Sequence, residues 1–140
     1  MKPLNKYIQE KLIINKDYHV AELSPKSFDE LRKIIKDRYK KLGPGTKQNP
    51  IDFNDIDVSN IDFFYSNTYY RGIFQETKFK YIDISDWDVS NIKSMRCMFW
   101  YSGELKSVGD LSSWDVSNVT DASNIFDDCP IKDEYKPKFK

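Results

Sequence analysis

Among side chains able to do covalent or acid–base chemistry, the 140-residue sequence offers one histidine, His19, and two cysteines, Cys97 and Cys129. A Ser-His-Asp or Cys-His arrangement would have to use His19, yet no nucleophile elbow or cysteine signature accompanies it. One imidazole and two unclustered thiols also fall short of a tetrahedral metal site. The carboxylates are more numerous: Asp52, Asp55 and Asp57, then Asp83, Asp86 and Asp88, could present oxygens to Ca²⁺. Their spacing departs from an EF-hand loop and no glycine stands where that loop turns sharply. Alternating aspartates are what a strand with a solvated face carries. Nothing fixes two of them across a cleft, as glycoside hydrolysis requires. The sequence therefore predicts no enzyme, no catalytic residue, no metal and no cofactor.

What remains is charge and aromatic surface. Lys26, Arg32, Lys33, Lys36, Arg38, Lys40 and Lys41 fall mostly off the apolar stripe of a predicted N-terminal helix and read as its solvated cationic face. That face could meet phosphates, but no recognised nucleic-acid fold accompanies it, so neither nucleic acid nor a small-molecule substrate is the expected partner. Tyr69, Tyr70, Trp100 and Tyr101 fall where the apolar pattern does not need them. Exposed Tyr and Trp are favoured anchors at protein interfaces, so these four are the expected partner-binding residues. Phe74, Phe99 and Phe126 are expected in the core.

The elements that must position these side chains follow from an internal repeat. Asp57-Val58-Ser59-Asn60-Ile61, Asp88-Val89-Ser90-Asn91-Ile92 and Asp115-Val116-Ser117-Asn118-Val119 are three copies of one string. Phe99 follows Asp88 at the same interval as Phe126 follows Asp115, whereas Phe74 stands further along from Asp57. The excess length falls within Tyr65 to Gly72, a Tyr/Asn/Ser/Thr-rich stretch read as an inserted loop. Before the string, Ile82 and Ile84 alternate with Asp83 and Ser85, the period of a half-buried strand. After it, Ile92, Met95, Met98 and Phe99, and likewise Val119, Ala122, Ile125 and Phe126, sit three or four apart, which predicts a short helix capped by the Ser and Asn. Return segments, Phe79 to Ile84 and Leu105 to Leu111, would feed the next strand. One such unit cannot bury its own apolar face, so neighbours must stack.

Three segments result: 1–50 as an N-terminal helical cap, 51–129 as the repeats, and 130–140 as a polar or frayed tail. Ser27 to Leu42 is the clearest helix, opened by Ser27 and Glu30 as a capping box, striped by Phe28, Leu31, Ile34, Ile35, Tyr39 and Leu42, and stopped by Gly43-Pro44-Gly45. Tyr7, Ile8 and Leu12 suggest a shorter helix, and Tyr18 to Leu23 a strand. The 22 basic and 22 acidic residues cancel, but residues 1–50 carry +6 and residues 51–129 carry −8. The acidic half could dock a basic partner. Leu12-Ile13-Ile14 is far short of a signal-peptide core or a membrane span, so the expectation is a cytoplasmic chain without membrane insertion, its cysteines buried thiols in a reducing compartment.

Trp87-Asp88-Val89-Ser90-Asn91-Ile92 with Met95, Met98 and Phe99, and Leu111-Ser112-Ser113-Trp114-Asp115-Val116-Ser117-Asn118-Val119, resemble the repeat of the BspA-type leucine-rich-repeat surface proteins. The resemblance implies an α/β fold, a short leucine-rich-repeat-like solenoid of about three strand-helix units, used to bind other macromolecules without catalysis. It carries over no invariant ligand residue. Beside a surface adhesin, the sequence admits a phage- or effector-type intracellular inhibitor of a host factor. The leading expectation is a non-catalytic module binding a protein partner through its repeat surface.

Overall fold

The computed structural model describes residues 23–139. His19, the suggested helix around Tyr7, Ile8 and Leu12, and all but the last residue of the strand expected at Tyr18 to Leu23 lie outside this range. The described chain is a small mixed α/β protein with one α-helix and short strands.

Helix α1 spans Phe28–Leu42. Ser27 opens it in an extended conformation, its hydroxyl accepting the Glu30 amide at 3.2 Å, while the Glu30 carboxylate accepts the Lys26 amide at 2.7 Å. Gly43 closes it at φ 73, donating to the Tyr39 carbonyl. Leu31 and Ile35 are buried, and Tyr39 meets the Phe79 ring edge-on at 5.1 Å. Leu42, expected on the buried stripe, is the last residue of the helix and is 61% exposed. The basic residues also divide. Arg38 grips both oxygens of Asp55 at 2.6 and 2.7 Å and the Asp52 carbonyl at 2.7 Å, so it is a tether and not part of a solvated face. Arg32 donates to the Ile73 carbonyl at 3.2 Å.

Beyond α1, strands β1 (Ile51–Asp52) and β4 (Ile82–Asp83) pair in parallel, one from each of two successive copies. Between them, β2 (Tyr65–Ser66) and β3 (Arg71–Gly72) pair antiparallel, so the predicted loop is a hairpin with Asn67 to Tyr70 at its tip.

The helices expected after each string are absent among the described residues. In their place the amides of Met95, Cys97, Phe99 and Tyr101 donate to the carbonyls of Asp121, Ser123, Ile125 and Asp127 in the next copy, at 2.9 to 3.0 Å. Intervening amides close tight turns, Met98 to Met95, Trp100 to Cys97 and Ser102 to Phe99. Backbone donors that a helix would keep are spent on the neighbouring copy instead. Cys97, Tyr101, Asn124 and Asp128 take up left-handed φ values of 54 to 57 to make this possible. An apolar spacing of three and four suits successive tight turns as well as a helix, and Ile92, Met95, Met98 and Phe99 are buried either way.

The string itself works differently from a cap. Each Asp side chain accepts from the Ser two residues on: Asp88 takes the Ser90 amide at 3.1 Å and hydroxyl at 2.6 Å, and Asp57 with Ser59 and Asp115 with Ser117 do the same. Asn91 and Asn118 donate to the carbonyls of Ser59 and Ser90 in the preceding copy. The serines donate, and Asn91 and Asn118 bridge copies, because among the described residues no helix follows the string for either to cap.

Phe74, Phe99 and Phe126 stack in a column, with centroids 5.6 and 5.4 Å apart and interplanar angles of 10 and 11°. Phe74 and Phe99 are buried. Phe126 is half-buried at the end, where Lys136 stands 5.0 Å over its ring. The C-terminal segment is packed against this end, with Ile131 and Pro137 buried, a 3₁₀ turn at Asp133–Tyr135, and the Tyr135 carbonyl accepting the Leu111 amide.

Candidate interaction surface

Tyr69 and Tyr70 stand at the tip of the β2–β3 hairpin, 61% and 76% exposed, the Tyr69 amide held by the Ser66 hydroxyl at 3.2 Å. Tyr101 is 53% exposed, and its ring stacks on the half-buried Trp100 at 4.5 Å. Of the four expected binding residues the structure thus joins Trp100 to Tyr101. Among the described residues, no ring pairing links that pair to Tyr69 or Tyr70. Tyr70 and Tyr101 hold left-handed φ values of 52 and 54, a region costly for a bulky side chain. Glu76 and Asp128 occupy left-handed positions elsewhere in the copies, so that turn places no demand for an aromatic ring.

Sequence reasoning missed a second surface. Arg71 on β3 and Tyr69 line, with Arg32, Lys33 and Lys36 of α1, an open groove of about 510 Å³ to which Phe28 and Asp29 also contribute. Burial and the like charge of Arg71 both lower the proton affinity of Arg32. Arg71 reaches Glu76 only at 3.9 Å. The one signal in the sequence was a lone arginine in a polar insertion, which says nothing about the helix it meets.

The aspartates of the repeat spend their oxygens on the serines beside them. Among the described residues no group of three or more His, Cys, Asp or Glu is placed to hold a metal ion. Cys97 and Cys129 are free thiols, and burial pushes the Cys129 thiol up to about 11, far from a thiolate at neutral pH. No described helix is long and apolar enough to cross a membrane.

The repeated Asp–Ser turns set a pH response. Asp88, Asp115 and Asp121 titrate below the usual carboxylate range, chiefly because the hydroxyls of Ser90, Ser117 and Ser123 donate to them, and next because the amides do. Depressed folded values contribute stability above the unfolded value of about 3.9, and this is lost as pH falls through the folded values. Asp52, raised chiefly by burial, acts in the opposite sense and offsets part of the loss. Urea midpoints are expected to fall between pH 5 and pH 2, and the fall should be shallower in a Ser90→Ala/Ser117→Ala variant. Parallel curves for the two proteins would contradict this account.

Taken together, the chain is a small mixed α/β protein in which copies of one Asp-Val-Ser-Asn string share backbone hydrogen bonds and a common core. Residues 46–135 match the family model described as Mycoplasma protein of unknown function, DUF285. That span is well over half of the chain, and the protein belongs to this family. No curated protein and no solved structure matches it.

Proposed function

We propose that the protein is a non-catalytic module that binds a macromolecular partner, in first place another protein, through its repeat surface. In this reading residues 51–129 form a short solenoid closed at one end by α1, and Tyr69, Tyr70, Trp100 and Tyr101 are its contact residues. The parallel bridges Phe63↔Ser94, Ser94↔Asp121 and Tyr81↔Ser107 support stacking of the copies.

The observation that carries the binding reading is that Tyr70 and Tyr101 project large rings into solvent from strained backbone. At Tyr101 the left-handed backbone serves the hydrogen bond to Asp127 in the next copy, but neither position asks for an exposed aromatic ring, whereas a partner surface would reward one. Resemblance of the string to BspA-type repeats favours a surface or matrix protein as partner, and an intracellular host factor is the second reading.

The test is a Tyr70→Asn/Tyr101→Asn variant, since Asn tolerates left-handed φ far better than Tyr. Used as bait against a soluble lysate and a surface fraction in separate arms, the wild type should retain a protein that the variant loses. The variant should meanwhile melt several degrees higher, from relief of about 1 kcal/mol of strain at each site. Equal capture by both baits would overturn the proposal. The arm that yields the partner decides between the surface and intracellular readings.

A further inference from the structure

The cationic groove between α1 and the β2–β3 hairpin stands apart from the aromatic surface, sharing only Tyr69 with it. Arg38, on the same helix, shows the contrast. It is neutralised by a two-point clasp on Asp55, with side chains 18% and 16% exposed. Arg32, also drawn into the structure, has one backbone carbonyl at 3.2 Å and, among the described residues, no carboxylate clasp. Opposite it the hairpin delivers a second guanidinium, Arg71, which meets the Glu76 carboxylate only at 3.9 Å, with half of the Glu76 side chain exposed. Lys33 and Lys36 add two ammonium groups, against Asp29 as the single acidic lining residue among those described.

Among the described residues Asp29 and Glu76 offset only part of these four cations, and the net positive potential left over the depression favours an anion. Two guanidinium forks with unspent N–H groups suit the tetrahedral oxygens of phosphate, and the lysines add charge without fixed geometry. Phe28 and the Tyr69 ring supply apolar walls for whatever carries the phosphate. A volume of about 510 Å³ lies within the range of small-molecule sites. The −8 charge of the flanking repeat region repels a long polyanion running past the groove, so a compact ligand fits better than a nucleic-acid strand.

We infer that this groove binds a compact phosphate-bearing ligand, its phosphate between Arg32 and Arg71 with Lys33 and Lys36 alongside. The site does not depend on the protein-binding reading, and neither does its test.

Calorimetric titration of the full chain with pyrophosphate and with ADP, at physiological salt, should give saturable binding to one site. An Arg71→Gln/Lys33→Gln variant, altered at side chains outside the core, should bind at least about tenfold more weakly, as expected for losing charge-assisted hydrogen bonds. Lys106→Gln, on the exposed surface of the repeats, should bind as the wild type does. ADP binding tighter than pyrophosphate, with the difference removed by Tyr69→Ala, would identify a nucleotide. Equal affinities would identify a phosphate group on another carrier. Absence of saturable binding, undiminished affinity in the double variant, or an equal loss in Lys106→Gln would overturn the inference.

Discussion

Gly72→Ala is expected to abolish the native fold, with a loss of more than about 3 kcal/mol. Gly72 sits where β3 crosses the next copy. A Cβ there would fall within the van der Waals shell of the Cys97 carbonyl and 2.8 Å from the Met98 amide nitrogen. Both are backbone atoms that cannot step aside without breaking the bond from the Phe74 amide to the Met98 carbonyl, at 2.9 Å. The Gly72 amide is also committed, donating to the buried Gln75 side chain at 3.0 Å. Gly103→Ala is the matched control, since its added methyl would meet only the Asp128 carbonyl oxygen at 3.7 Å, an ordinary contact. Its unfolding free energy from urea titration should stay within about 0.5 kcal/mol of the wild type, while Gly72→Ala should lack a cooperative transition. A cooperative Gly72→Ala protein of near-normal stability would disprove the close approach.

The second large effect is expected at Phe74→Ala, at about 3 to 5 kcal/mol. This ring is the hub of the aromatic core: Phe99 lies 5.6 Å away, Phe53 5.8 Å, Trp87 6.0 Å and Phe79 6.3 Å. Truncation would leave a cavity walled by rings that belong to α1-facing and copy-facing layers alike, and these cannot collapse together. Against a total stability of about 5 to 15 kcal/mol, such a loss brings the protein near its threshold. Phe126→Ala, at the half-buried end of the same column, should cost distinctly less. Equal losses at the two positions, measured by urea unfolding, would mean that the column lacks a buried centre.

Much of this organisation was legible in the residues. The three strings, the Phe74, Phe99 and Phe126 landmarks and the Ser27-to-Gly43 limits of α1 each depend on local pattern, and each appears where the pattern puts it. The helices after the strings were misread for a definite reason. Met95 and Met98 carry the same spacing in a helix as in paired tight turns, and what separates the two is the destination of the backbone amides. For Met95 and Cys97 that destination is Asp121 and Ser123 in the next copy, which no local window contains. The Ser and Asn expected as caps act instead as donors for a related reason, since a short polar side chain before an apolar run looks the same whether it accepts or donates. Arg71 was overlooked because its importance lies wholly in what the hairpin brings it to face.

The hairpin has an evolutionary consequence. Before it, the Phe64 amide bonds to the Ser94 carbonyl; after it, the Phe74 amide bonds to the Met98 carbonyl. The stretch from Phe64 to Phe74 on one copy is thus matched by the much shorter stretch from Ser94 to Met98 on the next, and the ladder resumes unbroken. All the excess length is carried outside the shared bonding. Closing a longer loop costs little, about 0.6 kcal/mol for each doubling of its length. Lineages can therefore lengthen, shorten or rewrite Asn67 to Tyr70 almost independently of the frame, and the exposed tip can change without a change of fold.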